Sequence, residues 1–149
     1  DEGTLEWTPL MEDRVMAVLP RDHPRAEDPE LTLGDLAKED WIAGCERCRA
    51  NLISSARRAG FSPKVRHSTD DTIVVQQLIM HGGGVALMPE TALDAAPSAD
   101  LVVRAIPDLD NRMIGLLNRR GALAIPAVGA VRDALVAETT ERLATAVMI

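Results

Sequence analysis

The stretch of sequence that decides the fold is STDDTIVVQQLIMHGGGVALMPETAL, residues 68–93. Its first half places apolar residues at the spacing of one helix face, namely Val74, Val75, Leu78 and Ile79. Ser68 or Thr69 can cap this helix, and Asp70 and Asp71 in the first turn complement the positive end of the helix dipole. We therefore predict a helix that begins directly after this polar cluster.

The second half of the stretch predicts a buried strand. Gly82 can adopt the left-handed conformation that ends a helix, and the two glycines after it permit a tight reversal. Residues 85–88, VALM, are apolar without polar alternation, which is typical of a parallel strand covered on both faces. The proline and glutamate that follow suit the start of another helix. The alternation of helix and strand along the chain continues in further predicted elements. These are strands at 41–43, 64–67 and 101–106 and a helix at 48–59. The alternation indicates a parallel α/β sheet.

The flanks of the chain predict further strands and one long helix. Apolar runs at 5–10 and 15–19 indicate a strand pair or one bent strand, and residues 113–118 are again strand-like. From Pro126 an amphipathic pattern predicts a helix to the end of the chain, with the apolar residues Val128, Val131, Leu135, Val136, Leu143 and Val147. The chain opens on Asp1 without an initiator methionine or signal peptide, which suggests a fragment or a trimmed chain.

The composition narrows the classes of function. Of the 149 residues, 46% are hydrophobic, which is enough for a core, but only 2% are aromatic, so stacking on bases is not supported. The net charge of −7 and the absence of long basic runs argue against direct binding to nucleic acid or anionic membranes. Two cysteines do not make a secreted disulfide scaffold, and no segment is apolar enough to span a bilayer, so we expect a cytoplasmic protein.

Five segments, in this order, resemble the effector-binding domain of LysR-type transcriptional regulators. They are LPRDHPRA (19–26), LTLGDLAKEDWI (31–42), RRAGFSPKV (57–65), HGGGVALMPETAL (81–93) and the strand and helix after Arg112. The resemblance implies an α/β, periplasmic-binding-protein-like (type 2) fold with one complete Rossmann-like subdomain and part of a second. It places the second regulatory subdomain at residues 29–101 and part of the first at 1–28 and 102–149.

The same resemblance implies a regulatory function rather than an enzymatic one. In this family a small organic effector binds in a cleft between the subdomains and changes the geometry of a dimer or tetramer. The helix at 48–59 would contribute to side-by-side dimers. DNA is bound only through a winged helix-turn-helix, which this sequence does not contain, and neither a cofactor nor a membrane is implied.

Two polar turns form the predicted ligand site. One follows the strand at 41–43 and the other follows the strand at 64–67, and the carboxyl ends of strands in an open α/β sheet are where ligands usually bind. Free N–H groups at helix starts favour an anionic or polar ligand. The acidic side chains in the turns oppose a strongly negative ligand, and one arginine offsets them. The alternative is that the second turn only caps a helix. The predicted ligand residues are Gly44, Cys45, Glu46, Arg47, Ser68, Thr69, Asp70, Asp71 and Thr72.

The pair Cys45 and Cys48 supports an alternative function. Both lie where a helix begins, which lowers the pKa of a thiol, and their spacing permits a disulfide. A thiol redox sensor or a thiol–disulfide exchange module is therefore the rival hypothesis. Two other interpretations are open. One is that the two cysteines bind a metal ion together with a histidine, and the other is that they are simply two small, half-buried residues. No Ser, His and Asp arrangement resembles a nucleophile elbow, so we predict no catalytic residues and no metal site.

Overall fold

The computed structural model describes residues 4–107 and 109–146. Its strands are β1 (Leu5–Asp13), β2 (Val15–Pro20), β3 (Asp40–Ala43), β4 (Lys64–Ser68), β5 (Val85–Pro89), β6 (Leu101–Ala105) and β7 (Arg112–Arg119). Its α-helices are α1 (Glu46–Arg58), α2 (Thr72–Met80), α3 (Glu90–Ala95) and α4 (Pro126–Ala146), and short 3₁₀ helices span Leu33–Leu36 and Ala122–Ala124. The predicted strands and helices are confirmed. Asp1, Asp108 and Val147 lie outside the described residues, as does the side chain of Leu143.

The chain divides into two compact units. The larger is Arg14–Asn111, and the smaller combines Asp1–Asp13 with Arg112–Ile149. The expected subdomain boundaries were at 28/29 and 101/102, so the larger unit is longer at both ends than expected. The reason is that β2 and β6 pair with each other within its sheet. The assignment of the units to two regulatory subdomains stays a prediction.

The larger unit is built on a five-stranded sheet with the order β4-β3-β5-β2-β6. β3 is parallel to both β4 and β5, as predicted. The four strands between residues 41 and 106 therefore run in one direction, and β2, which precedes this segment, lies between β5 and β6 and is antiparallel to both. The expectation that residues 5–10 and 15–19 form a strand pair or one bent strand is wrong, because β1 belongs to a separate sheet with β7.

Apolar side chains cover both faces of this sheet. Successive residues of β3 alternate between the two faces, so that Trp41 packs with Leu52 of α1 while Ile42 packs with Val75 and Ile79 of α2. Trp41 is fully buried and stacks on Phe61, with ring centroids 6.3 Å apart. Burial on both faces explains why residues 85–88 show no polar alternation.

The apolar spacing predicts buried faces made of Leu52, Ile53, Ala56 and Ala59 in the first helix and of Val74, Val75, Leu78 and Ile79 in the second, and the structure differs from both. Ile53 of α1 is 36% exposed and Val74 of α2 is 42% exposed, whereas Ser55 and Gln76 are buried. Both polar side chains are hydrogen bonded: Ser55 Oγ donates to Asn51 Oδ1 (3.2 Å), and Gln76 Nε2 donates to the Ala96 carbonyl (2.8 Å). A satisfied polar group can be buried at low cost, and periodicity based on apolar residues alone misses it.

The glycine turn between α2 and β5 contacts the start of β3. Gly82 adopts φ +76°, as predicted for a helix end, and nothing lies within 4 Å of the position that a Cβ would take. Gly84 adopts φ +129°, and a Cβ there would lie 2.1 Å from the carbonyl oxygen of Asp40. The backbone of Gly84 therefore packs directly on the β3 backbone.

The smaller unit contains the antiparallel pair β1–β7 and helix α4. Asp13 at the end of β1 is buried, and Arg112 Nε donates to its Oδ2 at 2.6 Å. Pairing with a guanidinium offsets the cost of burying the carboxylate. Across both units, none of the helices in the described residues is long and apolar enough to cross a membrane.

We predict that Gly84→Ala lowers the free energy of unfolding by about 3 kcal/mol or more, because an alanine there is strained and collides with the Asp40 carbonyl. Gly82→Ala is the matched control and is expected to cost only about 1–2 kcal/mol, since it combines a positive φ with open space. Urea denaturation of the three proteins measures both losses. Equal losses would contradict the close approach of Gly84 to β3.

Candidate ligand site

The two predicted polar turns lie side by side. β3 and β4 are parallel neighbours in which Ala43 pairs with Ser68, so both strands end at the same edge of the sheet. The amide of Thr69 donates to the Ala43 carbonyl at 3.0 Å, and Ser68 Oγ lies 3.5 Å from the Gly44 carbonyl. The predicted adjacency of the turns is confirmed. We refer to residues 44–48 and 68–72 together as the rim.

The first turn of α1 opens onto the rim. Cys45 is the N-cap residue, and its side chain forms no capping hydrogen bond, although the nearby amides of Arg47 and Cys48 favour its thiolate form. Cys45, Glu46 and Arg47 are exposed, and Gly44 and Cys48 are half-buried. The positive end of the α1 dipole therefore faces an accessible surface rather than a side-chain oxygen.

The start of α2 is arranged differently. Asp71 is its N-cap, and one carboxylate oxygen accepts from the amides of Ile73 (2.9 Å) and Val74 (3.2 Å). The prediction that Ser68 or Thr69 caps this helix is therefore wrong, and Asp70 and Asp71 precede the helix rather than lying in its first turn. Thr69 Oγ1 instead accepts from the amide of Asp71 at 3.3 Å. Because Asp71 occupies two of its amides, α2 offers less to an anionic ligand than α1 does.

The charges on the rim are mixed. Glu46 and Asp70 are exposed carboxylates, and Arg47 is an exposed cation that forms no ion pair within the part of the chain that the structure describes. Ser68 and Thr69 add hydroxyl groups, and Thr72 is half-buried at the start of α2. A ligand on this surface meets one cation, one open helix start and several hydrogen-bond acceptors.

Cys45 and Cys48 are not joined in a disulfide, and their sulfur atoms are 3.1 Å apart. Hydrogen bonding from Cys48, first by its side chain and then by its amide, lowers the pKa of the Cys45 thiol, and the Arg47 amide acts in the same direction. Burial and the carboxylate of Asp70 oppose this shift. The predicted lowering of a thiol pKa at this helix start is thus supported for Cys45.

A charge cluster at the opposite end of β3 joins the two strands. Asp40 accepts from Lys64 Nζ at 2.7 Å and from the Arg66 guanidinium at 2.6 Å, both on β4. These hydrogen bonds lower the pKa of the Asp40 carboxyl group. The cluster supports the register that brings the two turns together. Asp40 was not identified from the sequence. The available signal was the spacing of Lys64 and Arg66, because residues two apart lie on the same face of a strand.

Other concavities of the larger unit lie away from the rim. One, of about 690 Å³, is lined by Arg21, Gln77 and His81 among others, and one of about 460 Å³ is lined by Ser55 and Arg58 among others. None of the predicted ligand residues lines either of them. Within residues 4–107 and 109–146, no group of three or more His, Cys, Asp or Glu side chains is placed to hold a metal ion.

A sheet with helices on both faces and polar turns at the ends of parallel strands is an architecture typical of α/β ligand-binding modules. The family model described as the LysR substrate binding domain matches residues 1–140. The chain therefore belongs to the LysR substrate-binding domain family. Its α/β, periplasmic-binding-protein-like fold, which the resemblance implied, is confirmed.

Relatives and solved structures are consistent with this membership. The transcriptional regulator MetR of Salmonella typhimurium is 31% identical over 101 residues, which are 66% of this chain and 32% of MetR. The regulatory domain of Synechocystis CcmR, solved in complex with 2-PG, superposes with a TM-score of 0.80 at 20% identity and covers 91% of this chain and 67% of that one. The effector-binding domain of QuiR, solved with shikimate, gives 0.75 at 22% identity over 95% and 68%. The chain spans about a third of the length of four curated relatives that it matches, all of them transcriptional regulators rather than enzymes.

We predict that Asp71→Ala lowers the free energy of unfolding by about 1 kcal/mol, because it removes the cap of α2. Asp70→Ala, which changes the neighbouring exposed carboxylate, is expected to change it by less than about 0.5 kcal/mol. Urea denaturation compares the two variants, and Asp71→Asn should retain most of the stability. A larger loss for Asp70→Ala would contradict the assignment of the cap.

We predict that the stabilising effect of Asp40 disappears in acid. Its folded-state pKa is lowered, so its contribution is present above the unfolded pKa and is lost as the pH falls through the folded value. The difference in unfolding free energy between the wild type and Asp40→Asn should be largest near pH 7 and should shrink towards about pH 3. Asp22→Asn, at an exposed residue without an ion pair in the described chain, is the control. A difference independent of pH would rule out the ion pairs as its cause.

Proposed function

We propose that this chain is the effector-sensing part of a LysR-type bacterial transcriptional regulator and binds a small organic molecule at the rim. The observation that carries the proposal is the adjacency of two polar turns at the carboxyl ends of β3 and β4, where open α/β sheets bind ligands. Membership of the substrate-binding domain family supports it. So do two similar structures, the CcmR regulatory domain solved with 2-PG and the QuiR effector-binding domain solved with shikimate.

The chemistry of the rim favours a ligand that carries one carboxylate and additional hydroxyl or amino groups. The carboxylate is expected to lie at the open start of α1, beside Arg47, because both attract an anion. Donor groups elsewhere on the ligand are expected to face Glu46, Asp70 and Ser68. The carboxylates of Glu46 and Asp70 disfavour a ligand with several negative charges, because like charges repel.

In the whole regulator, binding would act by population shift. A ligand that binds one arrangement of the regulatory subdomains better than another increases the population of that arrangement, and no bond needs to be made or broken. We expect a cytoplasmic dimer or tetramer that contacts DNA through a winged helix-turn-helix domain outside this chain. Because the matching relatives are transcriptional regulators, we do not propose a thiol–disulfide exchange module as the function.

Thermal-shift screening of the regulator against amino acids and hydroxy acids tests the proposal. A ligand with one carboxylate should raise the melting temperature, and Arg47→Gln should weaken its affinity about tenfold or more, as expected for the loss of a charged hydrogen bond. The matched control is Arg57→Gln, because Arg57 is an exposed arginine in the last turn of the same helix. Equal losses in both variants, or no ligand in the screen that shifts the melting temperature, would contradict the proposed site.

A further inference from the structure

We propose that Cys45 and Cys48 are a reversible redox modification site that regulates ligand binding at the rim, by forming a disulfide that favours anionic ligands. The regulatory half of this inference rests on the proposed function. Formation of the disulfide itself does not depend on it.

The positions of the two sulfur atoms favour a disulfide. They are 3.1 Å apart without being bonded, so a closure of about 1 Å brings them to the usual S–S length. Cys48 packs on the backbone of Gly44, where a Cβ would lie 3.0 Å from the Cys48 Cβ and 3.4 Å from its sulfur. Because residue 44 has no side chain, the Cys48 sulfur can lie directly over the turn that carries Cys45.

The exposure of the two cysteines differs in a way that sets the order of reaction. Cys45 is exposed and is therefore accessible to an external oxidant, whereas Cys48 is half-buried beside it. Hydrogen bonding from Cys48 favours the thiolate of Cys45, which is the nucleophilic form. Cys45 is thus the attacking residue and Cys48 is the resolving one. The sequence contains no third cysteine to compete.

The oxidant that fits this order is a low-molecular-weight disulfide, RSSR. The Cys45 thiolate attacks one sulfur of RSSR, which forms a mixed disulfide and releases RS⁻. The Cys48 thiolate then attacks the Cys45 sulfur, which forms the Cys45–Cys48 bond and releases the second RS⁻. The two protein thiols lose two electrons, RSSR gains them, and the two thiol protons end on the released RSH molecules.

Oxidation changes the electrostatics of the rim. In the reduced chain, the lowered pKa of Cys45 increases the fraction of molecules that carry a thiolate at the N-terminus of α1, close to Asp70 and in the place where a ligand carboxylate would bind. The disulfide is neutral, so oxidation removes that negative charge. A carboxylate ligand should therefore bind the oxidised chain more tightly.

Thiol counting in glutathione buffers tests disulfide formation without any effector. As the ratio of glutathione disulfide to glutathione rises, the wild-type chain should lose both alkylatable thiols together. Its mass should fall by the mass of two hydrogen atoms, and dithiothreitol should restore both thiols. Cys48→Ser should instead retain a mixed disulfide on Cys45, while Cys45→Ser should react much more slowly. Two thiols that stay alkylatable throughout, or a wild-type chain that accumulates the mixed disulfide, would overturn the site.

A titration with sodium acetate at constant ionic strength tests the coupling to the rim. The backbone amide NMR signals of residues 46–48 should respond at lower acetate concentration in the oxidised chain than in the reduced one. The chain with both Cys45→Ser and Cys48→Ser is the control, and the redox buffer should not change its response. A disulfide that forms without altering the acetate response overturns the regulatory role alone, whereas failure to find any effector would count only against the proposed function.

Discussion

The parallel pairing of β3 with β4 is the constraint on which the site depends. Parallel strands end at the same edge of a sheet, so the turns after Ala43 and Ser68 become neighbours. Burial of Trp41 and Ile42 on opposite faces holds β3 in the sheet, and the ion pairs of Asp40 join it to β4 at the other end. The hydrophobic effect thus supplies most of the stability of the site, while polar groups set its geometry.

Local patterns in the sequence were sufficient to predict the elements but not all of their pairings. The unbroken apolar run at 85–88 identifies a strand covered on both faces, and this prediction is confirmed. The antiparallel position of β2 was not predicted, because it depends on pairs such as Val15 with Pro89 that are distant in the sequence. Strand periodicity reports which face a side chain occupies and carries no information on strand direction.

The positions of the candidate site were also predictable, whereas the division of roles within it was not. Any of the polar residues before α2 can cap a helix, and only the structure shows that Asp71 does so. This detail matters because it leaves α1, rather than α2, as the open helix start. Likewise, the contact between the two cysteine sulfurs is favoured by the absence of a side chain at Gly44, which spacing alone does not show.

The most direct test of the rim as a receptor surface is an experimental structure of the regulator with its effector bound. We expect the ligand carboxylate within about 2.7–3.2 Å of Arg47 or of the first amides of α1, with another polar atom of the ligand reaching residues 68–70. A ligand held instead in the concavity lined by Arg21, Gln77 and His81, or in contact with only one of the two turns, would contradict this assignment.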